Sequence, residues 1–343
     1  MGDLLDHALD VVPASRWIGL HGARVLITGA TGFFGQWLQQ ALQRLHQRGV
    51  HLTVQCVSRQ SRPAGPVHAA WLTWLGGDAK DFARLPIHPG TTHVLHMAAS
   101  SDSRIHIGDP LAAAQVILDG ALGALALAQR SGAHLHYVSS GAVYGVRRLS
   151  MGPAAESHIT TGAPHPLERI FSYGSAKRMA ETLVACACTD YCISRPFAFL
   201  GPGLPLDQHF AAGNFVRDAA AGQEITVQGD GTPIRSYMHP ADLASWLLAL
   251  LASPLRGQAV NVGSPDCVSI ATLATEIADL AGSPSPRILN TPSAGADPLA
   301  YWPDTALAQS CGLTLSIDRR SAIADMLKWA RQAAASSCHV ATP

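Results

Sequence analysis

The amino-acid sequence predicts an α/β fold, with a doubly wound parallel sheet followed by a smaller C-terminal substrate domain. Short β-branched apolar runs alternate with helical stretches up to residue 199, the order typical of parallel strands joined by helices. Several of these runs are apolar throughout, as expected for strands that are covered on both faces. After residue 200, glycines and prolines break the pattern and shorter elements follow.

The individual elements follow from the periodicity of the apolar residues. Residues 1–22 form an N-terminal extension, in which we expect one short helix that packs Trp17 and Ile18 against the body. Residues 33–48 carry apolar side chains at helical spacing and end at Gly49, a residue type that commonly ends helices. The other helices are predicted at 110–131 and 173–188, and the strands at 23–29, 51–59, 71–79, 92–100, 134–140 and 191–199.

These elements divide the chain into a nucleotide-binding part and a substrate-binding part. We expect the nucleotide-binding domain to span 23–199 and to include part of 234–262, because the apolar helix predicted at 242–251 needs a partner to cover it. Residues 200–330 then form mainly the substrate-binding domain, and residues 331–343 form a tail.

Composition and charge exclude several classes of protein. The 343 residues are 48% hydrophobic and 14% charged, so the chain can bury a large core and is not disordered. Lys plus Arg (24) equals Asp plus Glu (24), which argues against a nucleic-acid partner. The seven cysteines include no C-x-x-C pair and the N-terminus has no long apolar segment. We therefore expect a cytoplasmic protein with free thiols, no membrane span and no metal site.

A glycine-rich segment joins the first predicted strand to the first long helix. In TGATGFFG, residues 28–35, Gly29 permits the tight turn out of the strand, Gly32 lets a diphosphate approach the backbone, and Gly35 lets the helix lie close to the sheet. The helix N-terminus presents free N–H groups and a partial positive charge to the phosphates. A strand before the glycines and a helix after them predict a dinucleotide-binding site of the Rossmann type.

The end of the second strand bears on which dinucleotide is bound. An acidic residue there bonds the ribose hydroxyls of NAD, whereas an arginine accommodates the 2′-phosphate of NADP. Ser58 and Arg59 stand at this end, and no acid lies between Val54 and Arg62, so the sequence favours NADP over NAD. Alternatively, Arg59 stacks on the adenine. Asp78 either accepts a hydrogen bond from the adenine amine or belongs to a turn.

Two further motifs follow the glycine segment. Ser140 lies in YVSSGAVYG (137–145), and Tyr173 stands four residues before Lys177 in FSYGSAK (171–177). In this order, the three motifs resemble the extended short-chain dehydrogenase/reductase superfamily, and more narrowly its NAD-dependent epimerase/dehydratase family, whose members act on nucleotide sugars. The resemblance spans about residues 23–330 and includes HMAAS (96–100), RPFAFLGPG (195–203), GDGTPIRSYMHPADL (229–243), VNVGSP (260–265) and YWPDTALA (301–308).

The resemblance implies a role for each member of the Ser–Tyr–Lys set. Tyr173 transfers a proton, Lys177 favours the phenolate and binds the cofactor ribose, and Ser140 bonds the reacting sugar oxygen. With the glycine segment, the predicted cofactor-binding residues are Gly29, Thr31, Gly32, Phe33, Phe34, Gly35, Ser58, Arg59, Asp78, Ala79, Met97, Ala98, Ala99, Tyr173, Lys177 and Pro196. The predicted substrate-binding residues are Ser100, Ser140, Gly141, Ala142, Phe197, Ala198, Asn214 and Arg235, of which Arg235 binds the diphosphate.

Two departures from the family pattern narrow the reaction. Gly141 and Ala142 stand where the sugar 4,6-dehydratases carry an Asp-Glu pair, and neither can transfer a proton, so 4,6-dehydration is disfavoured. Ala198 replaces a frequent phosphate-contacting Asn of the family, and Asn214 is a candidate to compensate. A nearby segment, 204–215, contains Asp207 and His209, which either contact the sugar or shape a loop.

The resemblance implies hydride transfer at carbon 4 of a nucleotide sugar. We place a 4-epimerase ahead of an NADPH-dependent 4-ketoreductase, because the GDGTPIRSY segment is complete, whereas the NADP preference points to reduction. A reductase of a non-sugar carbonyl and a non-catalytic NADP-binding sensor are weaker alternatives.

Two expectations concern residues outside the catalytic set. His134 and His136 alternate along the fifth strand with no acid or cysteine nearby in sequence, and we expect them to pack rather than to bind a metal. The family forms homodimers through a four-helix bundle, which implies one here. The residues assigned to that helical pair are Met179, Leu183 and Val184 with the apolar residues of 111–128.

Overall fold

The computed structural model of the chain describes residues 2–59, 67–99, 103–160, 172–208 and 210–339. Helices and strands alternate up to residue 199, as the sequence predicts. The helices are α1 (Gly2–Val11), α2 (Ala14–Ile18), α3 (Phe33–Gln47), α4 (Ser103–Gly108), α5 (Pro110–Ser131), α6 (Ser172–Ala187), α7 (Ala211–Ala220), α8 (Pro240–Leu251), α9 (Ile270–Ala281), α10 (Ala306–Ser310) and α11 (Arg319–His339). The strands are β1 (Arg24–Thr28), β2 (Thr53–Ser58), β3 (Leu72–Gly76), β4 (His93–His96), β5 (His134–Val138), β6 (Tyr191–Pro196), β7 (Thr226–Val227), β8 (Ile234–Ser236), β9 (Gln258–Val262), β10 (Cys267–Ser269), β11 (Arg287–Ile288) and β12 (Ala300–Tyr301).

The main sheet has seven parallel strands in the order β3-β2-β1-β4-β5-β6-β9. The chain builds outward from β1 to β3, then crosses back to place β4 on the other side of β1 and continues outward from there. The strand order therefore reverses between β1 and β4, and doubly wound sheets bind ligands at the carboxyl ends of strands that flank such a point. The predicted fold class is confirmed.

Helices cover both faces of this sheet. On one face α5 packs against β4, β5 and α6. On the other, α8 packs against α3 and α1, and every residue of α8 is buried. This arrangement supplies the partner that the sequence predicts for the helix at 242–251. By length and composition α5 could cross a membrane, but half of it is buried within the fold, as expected for the core helix of a doubly wound sheet.

The N-terminal extension folds as two helices rather than the single helix predicted. The indole N–H of the buried Trp17 donates to the carbonyl of Leu9 (3.3 Å), so α2 is fixed against α1. Ile18 is 71% exposed, and the prediction that it packs against the body is wrong. Successive helical residues point about 100° apart, so the burial of Trp17 turns Ile18 toward solvent.

Beyond residue 200 the chain adds two small sheets and a layer of helices. The small sheets are β10-β8-β12 and β11-β7, and α7 packs against α9 and α11. One later segment belongs to the main sheet, because β9 pairs with β6 from Cys192↔Gln258 to Pro196↔Val262. Helix α11 continues to His339, so most of the predicted tail is helical. The division into two domains remains a prediction.

Candidate nucleotide and catalytic site

The glycine segment forms the turn between β1 and α3. Gly29 has a φ of 75°, a left-handed conformation that favours glycine, and a Cβ there would lie 2.9 Å from the amide nitrogen of Ala98. A Cβ at Gly35 would lie 2.3 Å from the carbonyl carbon and oxygen of Ala30. Both glycines therefore let backbone segments approach more closely than a side chain permits.

The N-terminus of α3 opens at this turn. Gly32 is its N-cap, and among the described residues no side chain caps this helix, so its first N–H groups remain available to an anion. These features fit the diphosphate of a dinucleotide. Thr31 is exposed beside them. The rings of Phe33 and Phe34 pack on the core, with Phe34 5.0 Å from Phe199, so these residues offer a ligand their backbone rather than their rings.

A buried polar pair supports the segment across from the glycine turn. The Thr28 hydroxyl accepts hydrogen bonds from the N–H groups of Met97 (3.1 Å) and Ala98 (3.3 Å) and lies 2.8 Å from Nδ1 of His96. Burial, helped by the nearby Lys177, lowers the pKa of His96 to about 3, so the ring is neutral at neutral pH. Sequence reasoning missed this pair, although one member precedes the first glycine and the other begins HMAAS.

Ser140 and Tyr173 come together from separate elements. Ser140 follows β5 and caps the helical turn 141–144, where its hydroxyl accepts a hydrogen bond from the N–H of Ala142 (3.1 Å). Tyr173 lies in the first turn of α6, where the Ser140 side chain is near enough to lower the pKa of its phenol. A Cβ at Gly174 would lie 2.4 Å from the Ala142 carbonyl oxygen. Gly174, whose role the sequence reasoning missed, therefore lets α6 approach the serine segment closely.

Lys177 lies one helical turn beyond Tyr173 and is 2% exposed. Its ammonium donates to the carbonyl of Val138 (2.9 Å) and lies 5.1 Å from the centre of the Tyr137 ring. Burial lowers the pKa of Lys177 to about 8, and the negative charge of Glu181 opposes that change. The lysine can thus lose its proton more easily than an exposed one.

Burial also acts on Tyr173. It raises the pKa of this phenol to about 12, and the nearby Ser140 side chain lowers it only in part. The phenol is therefore protonated at neutral pH, and the role that the resemblance gives to Lys177 stays a prediction. The ring of His106 packs against that of Tyr173, with centres 4.7 Å apart.

A second phenol, missed by sequence reasoning, reaches the same serine. Burial raises the pKa of Tyr301 on β12, and the nearby Ser140 side chain opposes that change. Its ring lies 4.8 Å from that of Phe197, and the Arg235 guanidinium lies over it at 5.7 Å. A Cβ at Gly141 would lie 2.7 Å from its hydroxyl. The only sequence signal was its place at the start of YWPDTALA.

The predicted substrate residues divide into two groups. Gly141, Phe197 and Arg235 gather around Tyr301, as described above. Asn214 on α7 does not share those contacts: its amide donates to the carbonyl of Gln208 (3.0 Å) and accepts from Arg217 (3.2 Å). Ala142 and Ala198 directly follow Gly141 and Phe197 in the chain, and the carbonyl of Ala198 accepts a hydrogen bond from the N–H of Met238 (3.0 Å). Asp207 is exposed, and Ser100 and His209 lie outside the described residues.

The predicted cofactor residues at the sheet edge stand at strand ends. Ser58 ends β2, and its carbonyl accepts a hydrogen bond from the N–H of Gly77 (2.9 Å). The next residue, Arg59, is exposed. After β3, Asp78 directly precedes the 3-10 turn 79–84, which begins at Ala79, and Pro196 is buried at the end of β6. Met97, Ala98 and Ala99 follow β4. Arg62 lies outside the described residues.

The two histidines of β5 are buried. Nδ1 of His134 lies 2.7 Å from a carboxylate oxygen of Asp190, an acidic partner that the sequence distance concealed. His136 is fully buried, and burial lowers its pKa to about 3. Within the described part of the chain, no three histidine, cysteine or acidic side chains are grouped as a metal site.

Comparisons with known proteins identify the family of the chain. A sequence profile of the "NAD dependent epimerase/dehydratase family" matches residues 25–263. A UDP-glucuronic acid decarboxylase 1 of Xenopus tropicalis is 28% identical over 272 residues, which cover 76% of this chain and 61% of the frog protein. The solved UDP-glucose 4-epimerase of Thermotoga maritima, with UDP-glucose, shares the fold at a TM-score of 0.75 and 21% identity, covering 91% of this chain and 99% of that one. The structure of MoeE5 with UDP-glucuronic acid and NAD is 25% identical at a TM-score of 0.73, covering 91% and 100%. The chain belongs to the NAD-dependent epimerase/dehydratase family.

Proposed function

We propose that the chain is an NAD(P)-dependent enzyme that transfers a hydride at carbon 4 of a nucleotide sugar, with Ser140, Tyr173 and Lys177 as its catalytic residues. One observation carries the proposal: α6 packs closely against the turn that begins at Ser140, which brings Tyr173 to that serine and the buried Lys177 ammonium to the carbonyl of Val138. Ser140 follows β5 at the same edge of the sheet at which the glycine turn follows β1. Ligands of doubly wound sheets bind at this carboxyl edge.

The residues of this site suit proton transfer to and from a sugar oxygen. A bound nicotinamide dinucleotide would supply the donor and acceptor of the hydride. Tyr173 is protonated at rest, so it can donate to a sugar carbonyl oxygen and take the proton back when a hydroxyl is oxidised. Ser140 shares that oxygen, and the positive charge of Lys177 stabilises the phenolate that oxidation leaves behind.

4-Epimerisation is the reaction that we favour. Gly141 and Ala142 offer no acid or base, and Gly141 has no room for a side chain, because a Cβ would lie 2.7 Å from the Tyr301 hydroxyl and 2.9 Å from the Phe197 ring. These contacts argue against a 4,6-dehydratase that eliminates water with groups at these positions. NADPH-dependent 4-ketoreduction is the alternative.

We propose UDP-hexoses and UDP-hexuronic acids as the substrates. MoeE5 has been solved with UDP-glucose and with UDP-glucuronic acid. The likeness to UDP-glucuronic acid decarboxylases supports decarboxylation as a second candidate function. Oxidation at carbon 4 of a hexuronic acid places a ketone β to its carboxylate, and a β-keto acid readily loses carbon dioxide.

The choice between NAD and NADP depends on the end of β2. Arg59 is exposed there and the sequence has no acid between Val54 and Arg62, which supports NADP. The MoeE5 structure contains NAD. We propose to compare the two Kd values directly, for the native chain and for Arg59→Ala. If Arg59 binds a 2′-phosphate, the substitution weakens NADP binding and leaves NAD binding unchanged.

We propose a homodimer that pairs α5 and α6 of two copies. Val184 is buried between these helices, whereas Leu111, Leu122 and Met179 are 78%, 47% and 50% exposed. Leu183 is partly buried beside them. An apolar helix face of this kind is stabilised when a second copy covers it.

The proposed reaction is tested by incubating the chain with NAD or NADP and either UDP-glucose or UDP-glucuronic acid, followed by NMR of the sugars. Epimerisation gives the 4-epimer with no net change in reduced-nicotinamide absorbance. Decarboxylation gives a pentose and carbon dioxide. Consumption of NADPH with a 4-keto sugar identifies the ketoreductase. No product from any pair, with both cofactors bound, contradicts the proposal.

A further inference from the structure

A buried chain of polar side chains joins α6 to β6 and β9. Arg195 on β6 donates to both carboxylate oxygens of Glu181 on α6, at 3.0 Å from Nε and 2.7 Å from Nη2. Its Nη1 donates to the Tyr144 hydroxyl (2.8 Å), which donates to Oδ1 of Asn261 on β9 (2.7 Å). All four residues are at most 5% exposed. The Glu181 carboxylate and the Arg195 guanidinium are therefore each held in place by hydrogen bonds.

Stability alone does not explain a pair of this kind. Removing two charges from water costs several kcal/mol per ion, and apolar residues of similar volume often stabilise a fold as well or better. Beyond packing, the pair supplies a negative and a positive charge at fixed positions. Two cationic residues precede Glu181 within one turn of α6: the partly exposed Arg178, three residues before it, and the buried Lys177, four residues before it and on the same face of the helix.

The surroundings of Lys177 make it depend on that carboxylate. The ammonium lies near the Tyr137 ring of β5, His96 of β4 and Tyr173 of its own helix, and none of these carries a negative charge at neutral pH. Among the described residues, Glu181 is the acidic group that favours the charged lysine. Arg195, held on the far side of Glu181, fixes the carboxylate and partly cancels its field.

We propose that Glu181, held by Arg195 one helical turn from the buried Lys177, is a positioning residue that keeps the lysine ammonium charged at the catalytic site. The inference rests on the proposed function only where it gives that charge a part in catalysis. Glu181 acts through the lysine and is not placed against sugar or cofactor. Its influence is a property of the protein that can be measured without a substrate.

The chain has only three lysines, Lys80, Lys177 and Lys328, so lysine labelled with ¹³C at Cε gives three NMR signals in the full-length protein. The signal that disappears in Lys177→Met belongs to the catalytic lysine. In the native chain we expect it to titrate well below an ordinary lysine. In Glu181→Gln we expect a further fall of about one unit or more, the size of effect typical of losing a nearby opposite charge.

The matched control is Glu276→Gln. Glu276 accepts the same two-pronged bond from Arg319, at 2.7 and 3.0 Å, but it lies on α9. This variant should leave the Lys177 titration unchanged. If Glu181→Gln does not fold, the double variant Glu181→Met/Arg195→Met replaces both charges by apolar groups. Its Lys177 titration should fall less than in Glu181→Gln, because the opposing guanidinium has also gone.

Two results would overturn the proposal. One is a native Lys177 that titrates like an exposed lysine, and the other is a Lys177 titration that neither the single nor the double variant moves. Catalysis is measured separately. With a substrate that turns over, the alkaline limb of the kcat–pH profile of Glu181→Gln should move to lower pH, in parallel with the pKa of Lys177. A chain that lacked the proposed activity would still show the shift in the NMR titration, so the two proposals fail independently.

Discussion

Replacing His136 with leucine is expected to make the protein more resistant to acid. His136 lies in the middle of β5 and is fully buried, and neither ring nitrogen has a hydrogen-bond partner among the described residues. Burial lowers its pKa to about 3, with smaller contributions from His134 and His93. The ring is therefore neutral in the folded chain, whereas in the unfolded chain it takes up a proton near pH 6.5.

The sign and size of the effect follow from this difference. The folded pKa lies below the unfolded one, so the histidine costs no stability above about pH 6.5 and costs progressively more as the pH falls toward 3. Between pH 7.5 and pH 5.0, one such histidine lowers the free energy of unfolding by about 2 kcal/mol. Burial also lowers the pKa of His96 to about 3 and that of His93 to about 4, so the native chain carries several such contributions.

The assay is urea unfolding of the native chain and of His136→Leu at pH 7.5 and at pH 5.0. The free energy of unfolding of the variant should fall between these pH values by about 2 kcal/mol less than that of the native chain. Leucine has a similar volume and no polar atoms. Any effect that it has on packing is the same at both pH values, so it cancels when the change in free energy between them is compared. The control is His7→Leu, in which an exposed ring on α1 is replaced and the pH dependence should stay native. Equal pH dependence in the native chain and His136→Leu would refute the reasoning.

Three further predictions concern the site and the assembly. Tyr173→Phe should lower kcat on an accepted nucleotide sugar by about 10²–10⁴-fold with cofactor Kd unchanged, because it removes only the transferable proton; near-native turnover would contradict the role of the phenol. Gly35→Ala should lower the free energy of unfolding by about 1–3 kcal/mol and weaken NAD binding, since its Cβ would lie 2.3 Å from the backbone of Ala30, whereas Gly229→Ala, with open space around it, serves as the urea-unfolding control. Under the proposed homodimer, the native chain should be dimeric and Met179→Glu monomeric in light scattering, and a dimeric mass for the variant would rule out this face as the interface.

The parts of the site predicted from sequence are those that depend on local backbone geometry. The turn at Gly29 and the close contact at Gly35 follow from a strand, a turn and a helix that are adjacent in sequence. The Tyr173–Lys177 spacing likewise follows from one helical turn. The titration of Tyr173 did not follow, because its pKa depends on how deeply the fold buries the phenol, and burial is set by elements far away in sequence.

Long-range pairs account for most of what sequence reasoning missed. His134 meets Asp190, and Thr28 meets His96, only because the parallel register brings strand ends together. Tyr301 is the strongest case, since it approaches Ser140 from β12, far along the chain. A tyrosine in a family motif gives a reason to look, but no local pattern indicates its direction.

The capacity of the Ser140 hydroxyl connects the two halves of the chain. A serine hydroxyl has one donor and two acceptor positions, and the N–H of Ala142 already uses one acceptor position. One donor and one acceptor position remain, and two phenols lie beside them, Tyr173 from α6 and Tyr301 from β12. In the proposed reaction a sugar oxygen that bonds to Ser140 would use one of these positions, next to the phenol that transfers the proton. The serine can then serve the sugar and only one of the two phenols at a time.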